Sequence, residues 1–484
     1  MKNKIKLIIG ICCFATATLS HAQGDIMVEN EKTPYDSYVG PKDKAAKENL
    51  AKWGDYKFGV LIHMGLYSQL GICESWGLAP EDWVTRNGYD DYDSFASDYR
   101  GARFSLNPTH LDSEKWAKMF KSAGVKYLIF TSKHHDGFCM YDSKFTDFKI
   151  TNPNLPYAKF KGKESDVLKD VLDASRKEGL SVGIYFSKPD WTSQDFWWKY
   201  YPPKDRNPNY NIKDHQEKWQ SFVKYTQNQL DELTSNYGKV DILWLDGGWV
   251  RPLSNVKESE GKKGRQNLDI NMKLIAETAR KKQPGLIVVD RWVPGEYEDY
   301  LTPERKVLEK PIPVPWESCV TLGNDWGWVP NDKYKSGTEV IQLLTGIVAK
   351  GGNLLLGVGP DGKGEFEPKI KQTLAEVGKW LEVNGEAIYA TKPIAPYSEG
   401  NLYYTSKGEK TVFGIYLPTA TEKEIPSQIV IKNSLKGKLN VTLLSNKQKL
   451  NYKNTNGGIS VTIPNSLRKE LAKQSGVVIK VSAR

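Results

Sequence analysis

Cysteine, histidine and long apolar runs are what this 484-residue chain has least of, and each shortage excludes something. There are five cysteines. Cys12 and Cys13 fall in the N-terminal leader, which leaves Cys73, Cys139 and Cys319 too far apart for a disulfide framework or a cysteine-based zinc site. Stability must therefore come from a packed core. Beyond the leader, no apolar stretch reaches the length needed to cross a bilayer. The net charge of +10 is spread along the chain. Short basic clusters such as Lys262-Lys263-Gly264-Arg265 lack the interleaved aromatics of a nucleic-acid-binding motif, so they read as solvated faces.

What is present is more specific. Lys2, Lys4 and Lys6, the apolar stretch Leu7–Ala17 and the small-residue site Ser20-His21-Ala22 form an export signal over residues 1–22. The protein is thus expected to be periplasmic or secreted. A lipoprotein ranks second, because Ile11 is bulky for the position before Cys12. Residues 23–44 read as an N-terminal extension, 45–390 as a catalytic unit and 395–484 as a second domain.

Within 45–390, apolar runs alternate with amphipathic stretches. Strands are expected at Lys57–Ile62, Val125–Phe130, Ser181–Phe186, Val240–Leu245, Leu286–Asp290 and Asn353–Val358. Helices are expected at Ser113–Ala123, Asp166–Glu178, His215–Thr234, Asn271–Lys282 and Gly337–Ala349. Repeated strand–helix units imply a parallel sheet with right-handed crossovers, and their number favours an α/β (β/α)8-type, TIM-like barrel. Two further strands are then expected within 64–110 and 311–320. Beyond residue 395, short alternating runs separated by turns predict an antiparallel β-sandwich.

The most informative stretch is Lys239–Trp249, where a buried strand ends in Asp246-Gly247-Gly248. A carboxylate at the C-terminal end of a parallel strand sits where such barrels keep their chemistry. The bland alternative is a loop cap. Of the six histidines, His63, His134 and His135 also follow predicted strands. Tyr185 and Arg291 lie at strand ends as well, and Glu304 and Glu317 on proline-marked segments offer a second carboxylate. A metal-dependent hydrolase could use His63, His134, His135 and Asp246 as ligands, but the chain has no His-x-His pair, and adjacent residues of a strand face opposite ways unless the strand has ended. A glycosidase would use one ionised carboxylate and one carboxylic acid. The chain's aromatic richness, 15 Trp and 25 Tyr, with Trp244, Trp249, Trp326 and Trp328 near strand ends, supports the glycosidase. A non-catalytic sugar-binding protein is the third possibility.

The segments Lys-Phe-Gly-Val-Leu-Ile-His-Met-Gly, Lys-His-His-Asp-Gly-Phe, Gly-Ile-Tyr-Phe-Ser, Leu-Trp-Leu-Asp-Gly-Gly, Val-Asp-Arg-Trp and Pro-Trp-Glu-Ser-Cys occur in this order. Over about residues 45–390 the chain resembles the α-L-fucosidases of glycoside hydrolase family 29. The resemblance implies a barrel with a C-terminal β-sandwich, a retaining mechanism, no metal or other cofactor, and fucosylated oligosaccharides or glycoconjugates as partners. It assigns Asp246 as nucleophile, Trp244 to the pocket lining, and His63, His134, His135, Tyr185 and Arg291 to fucose contacts. Met64 stands where the family usually has Trp. The family's Glu-Trp pair is matched by either Asp82-Trp83 or Glu74-Ser75-Trp76, with Trp83 preferred. Glu304 is preferred as acid/base, with Glu317 as rival and Glu298 third. Residues Tyr200–Tyr210 look like an insertion bordering the mouth of the site.

Overall fold

Residues 35–81, 84, 86, 88, 89, 91–256, 260–432 and 435–483 are described by the computed structural model. The leader and Trp83 lie outside them. Seven short runs rich in branched and aromatic residues form one parallel sheet: β1 (Phe58–Ile62), β2 (Tyr127–Lys133), β3 (Ser181–Ser187), β4 (Ile242–Asp246), β5 (Ile287–Asp290), β6 (Glu317–Thr321) and β7 (Asn353–Val358). Their order is β5-β4-β3-β2-β1-β7-β6. Nearly every residue in them is buried, because the curled sheet is covered on both faces.

Alternate residues divide the burial. Leu61, Tyr127, Ile129, Tyr185, Ile242, Trp244, Ile287, Val289, Cys319 and Leu355 pack together inside the curl. Phe58, Val60, Leu128, Phe130, Leu243 and Val288 face outward into the larger core shared with the helices. Gly59 is required here: a Cβ would come within 2.3 Å of the Tyr127 ring.

The principal helices are α1 (Lys44–Tyr56), α2 (Leu66–Leu70), α3 (Tyr92–Gly101), α4 (Ser113–Ser122), α5 (Pro156–Lys161), α6 (Val167–Lys177), α7 (Gln216–Asn236), α8 (Met272–Lys282), α9 (Gly337–Val348) and α10 (Pro368–Asn384). Aspartates at positions 43, 91, 112 and 166 cap α1, α3, α4 and α6 by accepting backbone N–H bonds.

The barrel expectation holds as a TIM-like curled parallel sheet, with a correction to its strand count. No strand occurs among the described residues of 64–110, which form α2, α3 and 3-10 turns. The strand expected in 311–320 appears as β6, shifted to 317–321. Between β5 and β6 runs the irregular segment 297–305. Asp290 N–H donates to Tyr297 O and Asp299 N–H to Val288 O on one side. On the other, Glu317 donates to Leu301 O, Cys319 to Pro303 O and Arg305 to Cys319 O. Pro303 lacks an N–H, so this segment pairs only through isolated bridges.

The C-terminal part is antiparallel. β8 (Lys392–Glu399), β9 (Leu402–Lys407), β10 (Thr411–Tyr416), β12 (Leu439–Leu443) and β15 (Val477–Ala483) make one sheet, ordered β12-β15-β10-β9-β8. β11 (Gln428–Lys432), β13 (Asn451–Thr455) and β14 (Gly458–Thr462) make the other, and a short helix α11 (Asn465–Leu471) precedes β15. Leu402, Val412, Val441 and Ile479 meet Ile429, Ile431, Ile459 and Val461 in a common core. Phe413, Ile415 and Val478 join the core of the barrel helices, and Trp380 of α10 donates its indole N–H to Gly476 O at 2.9 Å. No described helix is long and apolar enough to cross a membrane.

Candidate active site

The C-terminal ends of the strands converge on one polar pocket. β1 ends at Ile62, and His63 is fixed by its backbone N–H to Val358 O at the end of β7, 3.0 Å away. β2 ends at Lys133, so His134 and His135 lie beyond the strand's alternation and both rings face inward, with centroids 4.2 Å apart. Tyr185 of β3 stacks between His134 (5.7 Å, 7°) and Trp244 of β4 (5.3 Å, 25°).

Asp246 closes β4. Its Oδ2 accepts the Tyr185 hydroxyl at 2.8 Å, and its Oδ1 accepts Arg291 Nη1 at 3.1 Å. The chain then turns at Gly247, whose φ of +86° suits glycine and whose Cβ would overlap the Pro189 ring at 2.3 Å. Arg291 follows β5 and donates its other terminal nitrogen, Nη2, to Glu304 Oε2. Its guanidinium carbon lies 3.8 Å from the Trp292 ring and 5.0 Å from the Trp244 ring. One buried cation therefore touches both Asp246 and Glu304.

Leu61, His63, Trp76, His134, Tyr185, Trp244, Asp246, Arg291 and Trp326 line a small pocket, about 290 Å³ of empty space counting the part open to solvent. Trp326 lies 5.4 Å from His63. Several buried polar atoms at this site make no hydrogen bond within the protein: Nδ1 of His63 and of His135, Nε1 of Trp249 and Nε of Arg291. Such atoms cost stability unless a partner arrives, which suits a ligand rich in hydroxyls.

The charges are set apart. Burial alone would raise the Asp246 carboxyl, but the Arg291 charge, the Tyr185 hydroxyl and the Gly247 N–H outweigh it and hold it well below the ordinary range. Burial drives all three histidines the other way: His135 falls to about 3, and His63 and His134 fall well below their usual value. The His135 Nε2 to Asp246 Oδ2 approach of 3.8 Å is thus a contact with a neutral ring near neutral pH. Among the described residues, no group of three or more His, Cys, Asp or Glu is arranged to hold a metal ion.

The structure does not bring Glu317 into this pocket. Glu317 is the first residue of β6, paired with Asn353 at the start of β7, and so lies at the opposite end of the sheet. It is fully buried and accepts Tyr127 Oη at 2.5 Å and Trp244 Nε1 at 3.3 Å. Burial pushes its carboxyl up to about 7. Glu298 caps the loop after β5, accepting the Trp292 N–H at 3.0 Å. Met64 is buried in the outer core and takes no part in the lining.

Asp82-Trp83 lies outside the described residues, and its rival Glu74-Ser75-Trp76 reaches the pocket. Trp76 lines it and packs against His135 (5.1 Å), while Ser75 Oγ bonds His134 Nδ1 at 2.5 Å. Trp191 (5.0 Å) and Trp249 (5.2 Å) complete the ring around His135. Trp191 carries no motif, and nothing in the sequence singled it out.

A family model described as Alpha-L-fucosidase matches residues 26–386, and one described as the Alpha-L-fucosidase C-terminal domain matches 396–482. The chain belongs to the alpha-L-fucosidase family. Tissue alpha-L-fucosidase of Homo sapiens is 30% identical over 390 residues, covering 76% of each chain. Among solved structures, alpha-L-fucosidase isoenzyme 1 from Paenibacillus thiaminolyticus superposes with a TM-score of 0.72 at 28% identity, covering 91% of this chain and 100% of its own. The Thermotoga maritima alpha-fucosidase in complex with fucose gives 0.69 at 26% identity, covering 92% and 100%. The chain is thus a glycoside hydrolase of the fucosidase type, and the small pocket at its strand ends is its candidate active site.

Proposed function

We propose that this chain is an exo-acting, retaining α-L-fucosidase that releases terminal α-L-fucose from fucosylated oligosaccharides or glycoconjugates. The observation that carries this reading is the Arg291 guanidinium, which donates to Asp246 with one nitrogen and to Glu304 with the other at the edge of an enclosed polar pocket. The fucose complex of the related Thermotoga enzyme supports the choice of sugar.

Asp246, kept ionised by Arg291, attacks the anomeric carbon. Glu304 delivers a proton to the departing glycosidic oxygen, so its contact with Arg291 is one the bound glycan replaces. The covalent fucosyl-enzyme is then opened by water, with Glu304 taking the water's proton. Neutral His63, His134 and His135 bond sugar hydroxyls, and the Trp76, Trp244 and Trp326 rings pack on the carbon face and methyl group. Glu304 is preferred to Glu317 because Glu317 is sealed at the other end of the sheet under Trp244. Residues 45–390 serve as the catalytic unit and 395–484 as an appended sandwich, and the leader directs export to the periplasm or medium.

Chemical rescue tests the assignment. Asp246→Gly should lose several orders of magnitude in kcat and regain turnover of an aryl fucoside with azide, giving the β-fucosyl azide. Near-normal activity of Asp246→Gly without azide would overturn it.

A further inference from the structure

The connection from β3 to α7, residues 188–215, is long for a strand-to-helix link and lies on the face where the pocket opens. It is built as a rigid piece. Trp191 is buried against His135 and Trp76 and stacks on Trp197 at 5.2 Å and 6°. The two indole N–H groups donate to Arg206 O (3.2 Å) and Asn207 O (2.8 Å). Arg206 folds back over the pocket wall, its guanidinium carbon 5.0 Å from the Trp76 ring and 5.1 Å from the Trp249 ring. A fork to Glu81 holds it there, with Nε 2.9 Å from Oε1 and Nη2 3.1 Å from Oε2. Asn209 ties the outer turn by accepting the Trp198 N–H at 2.7 Å and donating to the Trp198 and Tyr201 carbonyls.

On this frame stand two aromatic side chains that the core does not use. Tyr200 is 70% exposed and Tyr201 46% exposed. Each meets the Trp198 ring in a T-shaped contact, at 5.5 and 5.6 Å, which holds the rings while leaving both side chains exposed. Lys199 Nζ lies 5.2 Å from the Tyr200 ring. Fixed, half-wet phenol rings give a pyranose an apolar surface to stack on and a hydroxyl to bond, at little cost in conformational entropy.

We propose that the 188–215 connection is the glycan-side subsite of this enzyme. Tyr200 and Tyr201, carried on Trp198, stack the sugar rings to which the fucose is attached, while Arg206 and Trp191 join that platform to the fucose pocket. The inference rests on the fucosidase reading. Its occupant is the remainder of the oligosaccharide, since the fucose cavity has no room for a second ring and the connection's Trp191 and Arg206 pack on Trp76 of the pocket wall.

The test uses the purified full chain and a Tyr200→Ala/Tyr201→Ala double variant on two substrates. α-L-Fucosyl fluoride has a one-atom leaving group and uses the fucose pocket alone. A fucosylated trisaccharide uses the platform as well. Losing a stacking contact made equally in ground and transition states raises KM and spares kcat. The expected result is a KM about three- to ten-fold higher for the trisaccharide, with the fluoride changed by less than about two-fold. Equal losses on both substrates, or none on either, overturn the proposal. Failure of the wild type to turn over the fluoride would instead remove the fucosidase reading itself.

Discussion

Replacing Arg291 by methionine takes away the one cation that touches both proposed catalytic carboxylates. The side chain is 5% exposed, against 13% for Asp246 and 10% for Glu304, so solvent does little to replace it. A hydrogen bond to a charged group contributes about 1.5–3 kcal/mol, and removing one partner of a buried ion pair costs about 3–5 kcal/mol. Asp246 keeps the Tyr185 hydroxyl at 2.8 Å, which favours the lower end of that range. A loss of about 3 kcal/mol in transition-state stabilisation corresponds to about two orders of magnitude in kcat/KM. The pH dependence separates this cause from simple misplacement. With Arg291 present, Asp246 titrates well below the usual carboxylate range, although burial, the largest single influence, acts to raise it. Without the Arg291 charge, burial is opposed by the weaker influence of His135 and by the hydrogen bonds from Tyr185 and Gly247. The carboxyl therefore titrates higher, and its ionised form is lost earlier as pH falls. The acidic limb of the kcat/KM profile on an aryl fucoside should move to higher pH in Arg291→Met and stay near the wild-type position in Arg291→Lys, which keeps the charge but not the fork. An unmoved limb in the methionine variant, with activity within a few-fold of wild type, would refute the assignment of Arg291 as the group that holds Asp246 ionised.

Glu304→Ala should lose about 10²- to 10⁴-fold in kcat/KM on a natural oligosaccharide but far less in kcat/KM on a dinitrophenyl fucoside, whose departing phenolate needs no proton; equal kcat/KM losses on the two substrates would remove Glu304 as the acid. Glu317→Gln should keep kcat/KM within about ten-fold, because the amide oxygen can still accept the Trp244 N–H while its NH2 donates to the Tyr127 oxygen, and the group touches no substrate. Its stability carries the sign. Burial raises the folded-state Glu317 to about 7, so from pH 4.5 upward the unfolded chain releases a proton that the folded chain keeps. Wild-type stability is therefore lost from this group as pH rises from 4.5 through 7, by on the order of 3 kcal/mol at most, and glutamine is immune. The melting temperature of Glu317→Gln relative to wild type should climb between pH 5 and pH 8; a flat difference would contradict the buried, protonated state.

What could be read from the sequence follows from how local the determinants are. β1–β5 and β7 are covered on both faces, so they appear as continuous apolar runs that no loop resembles. β6 opens on a buried carboxylate and reads Glu-Ser-Cys-Val-Thr, too polar to announce itself. His63, Asp246 and Arg291 each follow the end of a legible strand, and their convergence over the sheet follows from parallel topology alone. Trp76 and Trp326 are carried by loops whose course depends on distant contacts. Glu74, raised to about 7 chiefly by burial, accepts the Gly327 N–H at 2.6 Å and ties those two loops together across 253 residues. No local pattern encodes that contact, and Trp76 could be preferred to its neighbours only once the loop had a path.

The two glutamates make the point in chemical terms. Both lie in proline-marked segments near Cys319: Glu304 bridges to it from the side, and Glu317 precedes it on the same strand. Their neighbours in sequence do not distinguish an acid from a buried anchor. The strand's direction does. Glu304 comes level with Cys319, two residues nearer the C-terminal end of β6, and there it meets Arg291, which lines the pocket. Glu317 begins β6 and meets Tyr127, Trp244 and Tyr300, in a setting that favours the neutral carboxyl and gives it no route to a glycosidic oxygen. A displacement of two residues along one strand is enough to turn a candidate proton donor into a support for the pocket floor.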